Sequence, residues 1–176
     1  MSLAIFYDVE TTGLPLFKEP SEDPRQPHIV QLAASLVDLE TRSTLASMNV
    51  IVRPDGWIIP EEVSAIHGLT TERALEIGVP ESLAEGMFMG LYNDRLRIAH
   101  NESFDARIMR IALMRHEPDH TAADEWKAGK AECTMRLATP ILKLAPTEKM
   151  LAAGRTNNKS ANLGEAYRHF TGDELV

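Results

Sequence analysis

The chain has 176 residues, 44% of them hydrophobic, and a formal charge of −8, which fits one domain with a real core. The acidic balance excludes a protein that coats nucleic acid by long-range attraction, though not an enzyme that grips a few nucleotides through bound cations. No apolar run could span a membrane, no signal-peptide pattern is present, and one cysteine permits no internal disulfide, so a cytoplasmic setting is expected.

In chain order, Leu3-Ala4-Ile5-Phe6-Tyr7 reads as a strand running into Asp8-Val9-Glu10-Thr11-Thr12-Gly13. Strand side chains alternate, so Asp8 and Glu10 share one face and Val9 takes the other. Paired carboxylates at a buried strand end repel each other and resist desolvation, and a cation between them removes both penalties. Oxygen ligands favour Mg²⁺ or Mn²⁺ over zinc. Residues 15–27 hold four prolines and several charges and predict an exposed loop bordering that site. A tolerated surface insertion and a substrate contact are equally open for it.

His28 to Val37 and Thr44 to Arg53 predict two further strands joined by a turn over Asp38 to Ser43. The links are too short for crossover helices, so the first three strands form an antiparallel meander. Pro60-Glu61-Glu62 opens a short helix, Gly68 ends it and Thr70 caps the next. A helix follows from Glu81 to Tyr92, then a short buried strand from Leu96 to Ala99. Asn101 is placed to cap a helix reaching about His116, with Phe104, Ile108 and Ile111 on its core face. Asp105 falls in the first turn of that helix, where the dipole favours an ionised carboxylate. Alone, it could do no more than complement the helix end. Arg107, Arg110 and Arg115 read as a solvated face of the same helix, with phosphate contact as the alternative. A strand near Ala131 to Thr134 leads into a helix through Leu142, and Cys133 within it reads as a buried structural thiol. Residues 143–159 are loop-rich, and a last helix covers about Ala161 to Phe170. This order predicts an α/β layer, antiparallel first and parallel later.

Asp-x-Glu-x-Thr-Gly after an N-terminal strand, followed by His100-Asn101-Glu102-Ser103-Phe104-Asp105 at a strand-to-helix junction, resembles the DnaQ-like 3′–5′ exonucleases of the DEDD superfamily. Ile66-His67-Gly68-Leu69-Thr70 and Cys133-Thr134-Met135-Arg136-Leu137-Ala138 are similar to further segments of that family, so the resemblance runs from Ile5 to about Phe170. It implies a ribonuclease H-like α/β fold with a five-stranded mixed sheet. It also implies release of nucleoside 5′-monophosphates from the 3′ end of DNA or RNA by hydrolysis with two Mg²⁺ or Mn²⁺ ions. By the same resemblance Asp8, Glu10 and Asp105 are catalytic metal ligands. Thr11, Thr12, Gly13 and Leu14 contact the terminal nucleotide, His67 lies beside it, and His100 and Asn101 shape the surroundings. The implied partner is the 3′ end of a single strand, with a DNA polymerase as a further candidate.

The histidine-type branch of that family carries His-x-x-x-x-Asp on its last helix, supplying a general base and a fourth acid. The expectation is one exonuclease domain over residues 1–176, with that segment following Val176, so that the chain as given binds metal weakly and cleaves little. His169 to Glu174 has the spacing but Glu in place of Asp, and Gly172 between them breaks a helix. His169 then does no more than complement a helix end. The competing class is a non-catalytic module of the same fold that binds a nucleic-acid end or a polymerase. The cost of buried carboxylates without a cation argues against it.

Overall fold

A computed structural model describes residues 2–117 and 119–175. It begins with strands β1 (Leu3–Thr11), β2 (Ile29–Asp38) and β3 (Ser43–Ile51), then helices α1 (Glu61–His67), α2 (Thr71–Ile77) and α3 (Glu81–Tyr92). Strand β4 (Leu96–Ala99) precedes helices α4 (Glu102–His116) and α5 (Thr121–Ala128). Strand β5 (Ala131–Cys133) and helices α6 (Thr134–Leu142), α7 (Glu148–Ala152) and α8 (Leu163–Thr171) complete the chain. The sheet order is β3-β2-β1-β4-β5, with β1, β2 and β3 antiparallel and β1, β4 and β5 parallel. This is the five-stranded mixed sheet of a ribonuclease H-like fold. Among the described residues no helix is long and apolar enough to cross a membrane.

The alternation in β1 decides what the sheet buries. Ile5, Tyr7 and Val9 turn into the main core, while Phe6 and Asp8 turn outward. Against the inward face lie Phe88 of α3, Ile108 and Met109 of α4, and Trp126 of α5, each no more than 1% exposed. The Tyr7 ring sits 5.3 Å from Phe88 and 5.7 Å from Trp126, edge-on to the latter. Burying such side chains stabilises the fold by about 1.5–3 kcal/mol each. A buried polar knot locks the same elements: Arg97 Nε donates to Glu102 Oε1 at 2.7 Å, Arg97 Nη1 to the Trp126 carbonyl at 2.6 Å, and the Tyr7 hydroxyl to Glu102 at 3.2 Å. The strand β1 is thereby held in fixed register with the start of α4.

Helix ends follow local chemistry. Gly68 ends α1 in the left-handed region at φ 76°, and the Thr70 hydroxyl accepts from Arg73 N at the start of α2. Asn162 and Glu165 form a reciprocal capping box on α8, which Gly172 ends at φ 82°.

Several expectations need correction. Helix α5 has no counterpart in the sequence reading; its inward residues are only Ala123 and Trp126, too few for a periodic signal. Asn101 occupies the N-cap position of α4, but its backbone is left-handed at φ 65° and its side chain makes no cap bond. The short helix α7 interrupts the 143–159 loop, and Cys133 is half-buried instead of a core thiol. Residues 15–27 are the expected loop without helix or strand and most of them are exposed, but Pro15, Ser21, Gln26 and Pro27 are buried, and Arg107, Arg110 and Arg115, expected to be solvated, hold the loop down.

Candidate functional site

The site lies where β1 changes neighbours. Its pairing with β4 stops at Phe6–Ile98, so beyond that point β1 has lost its parallel partner while still bonded to β2. Such switch points at carboxyl ends of strands are where open α/β sheets place ligands. The chain leaves β4, turns through the left-handed Asn101 and begins α4. That turn brings Asp105 Oδ1 within 3.1 Å of the Val9 amide nitrogen, whose N–H it accepts. Asp105 therefore sits at the strand end that carries Asp8 and Glu10, as the sequence expected.

All three carboxyls are shifted toward the protonated form. Asp105 is 3% exposed, and burial, followed by the charge of Asp8, pushes its carboxyl up to about 8 against the backbone amides of Val9 and of Asp105 itself. Burial raises Asp8, partly offset by His100, and burial followed by the charge of Asp8 raises Glu10. Three acids that each resist ionisation, chiefly through burial and in two of them with the charge of Asp8 adding to it, make a donor set that wants positive charge, and hard oxygen donors suit Mg²⁺ or Mn²⁺. As placed, no three His, Cys, Asp or Glu side chains among the described residues close on a common ion position. The fit is thus one of donor chemistry and electrostatics.

The segment after Glu10 is pinned by its own hydroxyls. Thr11 Oγ1 donates to the Gly13 carbonyl at 2.8 Å. Thr12 N donates to the His28 carbonyl, and His28 N donates back to Thr12 Oγ1, both at 3.0 Å. The Thr12 side chain is therefore committed to the backbone of the next strand. A Cβ on Gly13 would meet nothing within 4 Å, so open space lies beside its backbone. Leu14 projects, 73% exposed. His67 Nδ1 accepts from Leu69 N at 3.1 Å, which leaves the proton on Nε2, buried without a hydrogen-bond partner. Burial lowers the His67 imidazole, with the Thr11 backbone acting in the opposite sense. His100 Nε2 donates to the Ala161 carbonyl and Nδ1 meets the Thr134 hydroxyl, both at 3.0 Å, so this ring ties the end of β4 to α6 and to the residue before the α8 cap.

His169 and Glu174 do not form a helical pair. His169 is exposed, Gly172 ends α8 between them, and Glu174 is bonded to Arg168. The sequence reading overlooked Glu102, the buried acid three residues before Asp105 whose bonds to Tyr7 and Arg97 set the rotation of the first turn of α4. An arginine in the preceding strand was the available signal.

A family model described as exonuclease, of the RNase T type, matches residues 5–168. The PolC-type DNA polymerase III of Thermotoga maritima is 27% identical over 145 residues, covering 80% of this chain and 9% of that protein. Exonuclease I of E. coli in complex with a dT13 oligonucleotide is similar at a TM-score of 0.71 and 17% identity, over 96% of this chain and 35% of that one. Its complex with dA16 gives a TM-score of 0.72 at 18% identity, over 99% of this chain and 37% of that one. The chain thus spans about a third of exonuclease I and under a tenth of the polymerase, and the structural likeness speaks to the fold.

Proposed function

We propose, since the chain belongs to the exonuclease family matched over residues 5–168, that it is one exonuclease unit removing nucleoside 5′-monophosphates from the 3′ end of single-stranded nucleic acid with divalent metal ions. The observation that carries this reading is the bond from Val9 N–H to Asp105, which brings a third acid to the strand end of Asp8 and Glu10. Asp8, Glu10 and Asp105 would hold two Mg²⁺ or Mn²⁺ ions. When bound, such ions activate a water and stabilise the leaving 3′ oxygen of a phosphodiester.

The chain's own residues orient the strand. Val9 N–H fixes the Asp105 carboxylate, and Thr11 and Thr12 stiffen the segment that approaches the terminal nucleotide. The open side of Gly13 admits that nucleotide closely, and Leu14 offers its base an apolar contact. His67, neutral with its proton on Nε2, supplies a donor beside Thr11. Both ring nitrogens of His100 are bonded within the protein, so the ring braces the end of β4 against α6 beside Asp8. None of these groups is the general base, and cleavage by this chain is accordingly slow, by ~10²–10⁴-fold relative to a site with one. The likeness to a PolC-type polymerase supports association with a DNA polymerase, and the lone cysteine supports a cytoplasmic setting.

The test is a 5′-labelled single-stranded oligonucleotide incubated with the protein and Mn²⁺, or with EDTA. A ladder shortening from the 3′ end in Mn²⁺ alone is expected; internal cuts or shortening from the 5′ end would overturn the reading. The acids that do not converge on one ion position favour a second reading, a binding module. Tight binding of the oligonucleotide with no shortening after prolonged incubation at high enzyme would point to it.

A further inference from the structure

The loop after Leu14 is built as a rigid arm. The buried Gln26 amide accepts from Leu16 N–H at 3.0 Å and donates to the carbonyls of Leu16 at 3.2 Å and Pro20 at 2.9 Å. Helix α4 grips the same loop from outside. Arg107 Nη2 donates to the Glu19 carbonyl at 2.7 Å, Arg110 Nη1 to Ser21 Oγ at 3.4 Å, and Arg115 Nη2 to the Gln26 and Pro27 carbonyls, each at 3.1 Å. What this scaffold displays is a turn. Glu19 N–H bonds back to the Leu16 carbonyl at 3.0 Å, leaving Phe17 and Lys18 at the two central positions. The Phe17 ring is 70% exposed, and Lys18 is exposed with no hydrogen bond or ion pair among the described residues. A flexible loop would let such a ring find cover. Here the backbone entropy is already lost on folding, and the ring is still held in water.

The turn is also tied to the candidate site at both ends. On one side the chain reaches it directly from Gly13 and Leu14. On the other, Arg107, two residues beyond Asp105 on α4, holds the Glu19 carbonyl. An exposed aromatic ring and a lysine at adjacent turn positions are groups that take an unpaired base and its phosphate, since every base offers a π-face and every linkage an anion. They stand out on a chain of net charge −8.

We propose that Phe17 and Lys18 form a stacking subsite for an unpaired base, and its phosphate, upstream of the terminal nucleotide of a single strand. The inference rests on the exonuclease reading above and extends it: the subsite selects unpaired over paired ends and is tolerant of base identity. It is tested by binding in Ca²⁺, using a labelled oligo-dT and, separately, thymidine monophosphate, which has no upstream base. Phe17→Ala should weaken oligo-dT binding about tenfold and leave the monophosphate unchanged, while Phe17→Trp restores the wild-type value. Lys18→Gln should lower the salt slope of oligo-dT binding by about 0.7. Because Phe17 is exposed, its variant should melt with the wild type, which separates loss of contact from loss of fold. Unchanged oligo-dT binding in Phe17→Ala, or equal loss on both ligands, overturns the subsite while leaving the exonuclease reading intact. A wild-type protein that binds neither ligand overturns both.

Discussion

The buried acids Glu81 and Asp105 are held on opposite principles. At the start of α3, Glu81 accepts from Ile29 N–H at 2.9 Å, from Arg115 Nη1 at 3.0 and 3.2 Å, and meets a ring nitrogen each of His28 and His116 at 3.1 Å. Burial alone would raise its carboxyl, but the bonds from His116 and His28, the charge of Arg115 and the Ile29 amide outweigh it and hold Glu81 well below the ordinary carboxylate range. At the end of β1 the balance is reversed. Asp105 has only backbone amides, those of Val9 and of its own residue, to favour its charge, with Asp8 for a neighbour, and is pushed up to about 8. The first group is a satisfied structural anchor. The second keeps carboxylates together that destabilise one another, which a fold tolerates where a ligand supplies the missing positive charge.

Exchanging the two sites' fates by mutation tests this contrast most strongly. Asp8→Asn should reduce metal-dependent cleavage by ~10³-fold, because it removes a metal-holding oxygen worth several kcal/mol to the transition state. In the absence of metal the same variant should melt no lower than the wild type, since a repulsive neighbour of Asp105 and Glu10 is gone. Glu81→Ala should do the converse, costing about 3–5 kcal/mol in denaturant unfolding by taking the shared acceptor from Arg115 Nη1, two histidines and the Ile29 amide. Its residual folded fraction should bind oligonucleotide normally. A Glu81 variant as stable as wild type, or an Asp8 variant that unfolds, would break the comparison.

How much of this was legible depended on which forces leave a period in the sequence. Asp8 and Glu10 were legible because a strand alternates, and Asp105 because a helix start can be placed from its flanking residues. The meander, β4 and the helices from Glu81 and Asn101 follow from the same periodicities. The grip of Arg107, Arg110 and Arg115 on the loop was not. Helical period marks the apolar side of α4, but a long arginine stem can bury itself and bond a carbonyl some ninety residues earlier in the chain. Glu81 was hidden for the same reason: its donors come from β2 and α4, and no local rule links them. Asn101 misled because its residue type suits both an N-cap and a left-handed turn, and the tight exit from β4 demanded the turn.

Proton linkage sharpens the comparison next. Asp105 has a folded carboxyl raised to about 8, so the folded state holds a proton that the unfolded chain gives up near pH 4. Its contribution is complete below that pH and is lost as pH rises toward 8. In metal-free buffer Asp105→Asn should remove that slope, so that the wild type loses a few degrees more than the variant between pH 5 and pH 8 by thermal melting. Glu81 runs the other way: its stability is present at neutral pH and lost on acidification below the ordinary carboxylate range. The wild type should therefore unfold in acid over a range where Glu81→Ala shows no further loss.

The smallest expected effect tests whether the Glu81 anchor is one cooperative unit. His116 is raised above its usual value, first by its bond to Glu81, against burial and the charge of Arg115, with the charges of Glu81 and Glu85 adding to the rise. A raised histidine adds stability that is full below about pH 6.5 and disappears as pH climbs through the folded value. His116→Gln should thus cost about 1 kcal/mol near pH 5.5, in the range of a charged hydrogen bond, and almost nothing at pH 9. Glu81 would still have Arg115, His28 and the Ile29 amide. Because those donors remain, the loss should be several times smaller than for Glu81→Ala. Equal losses in the two variants would mean that the cluster stands or falls on a single imidazole, and Glu81 could no longer be set against Asp105 as an acid secured from several sides.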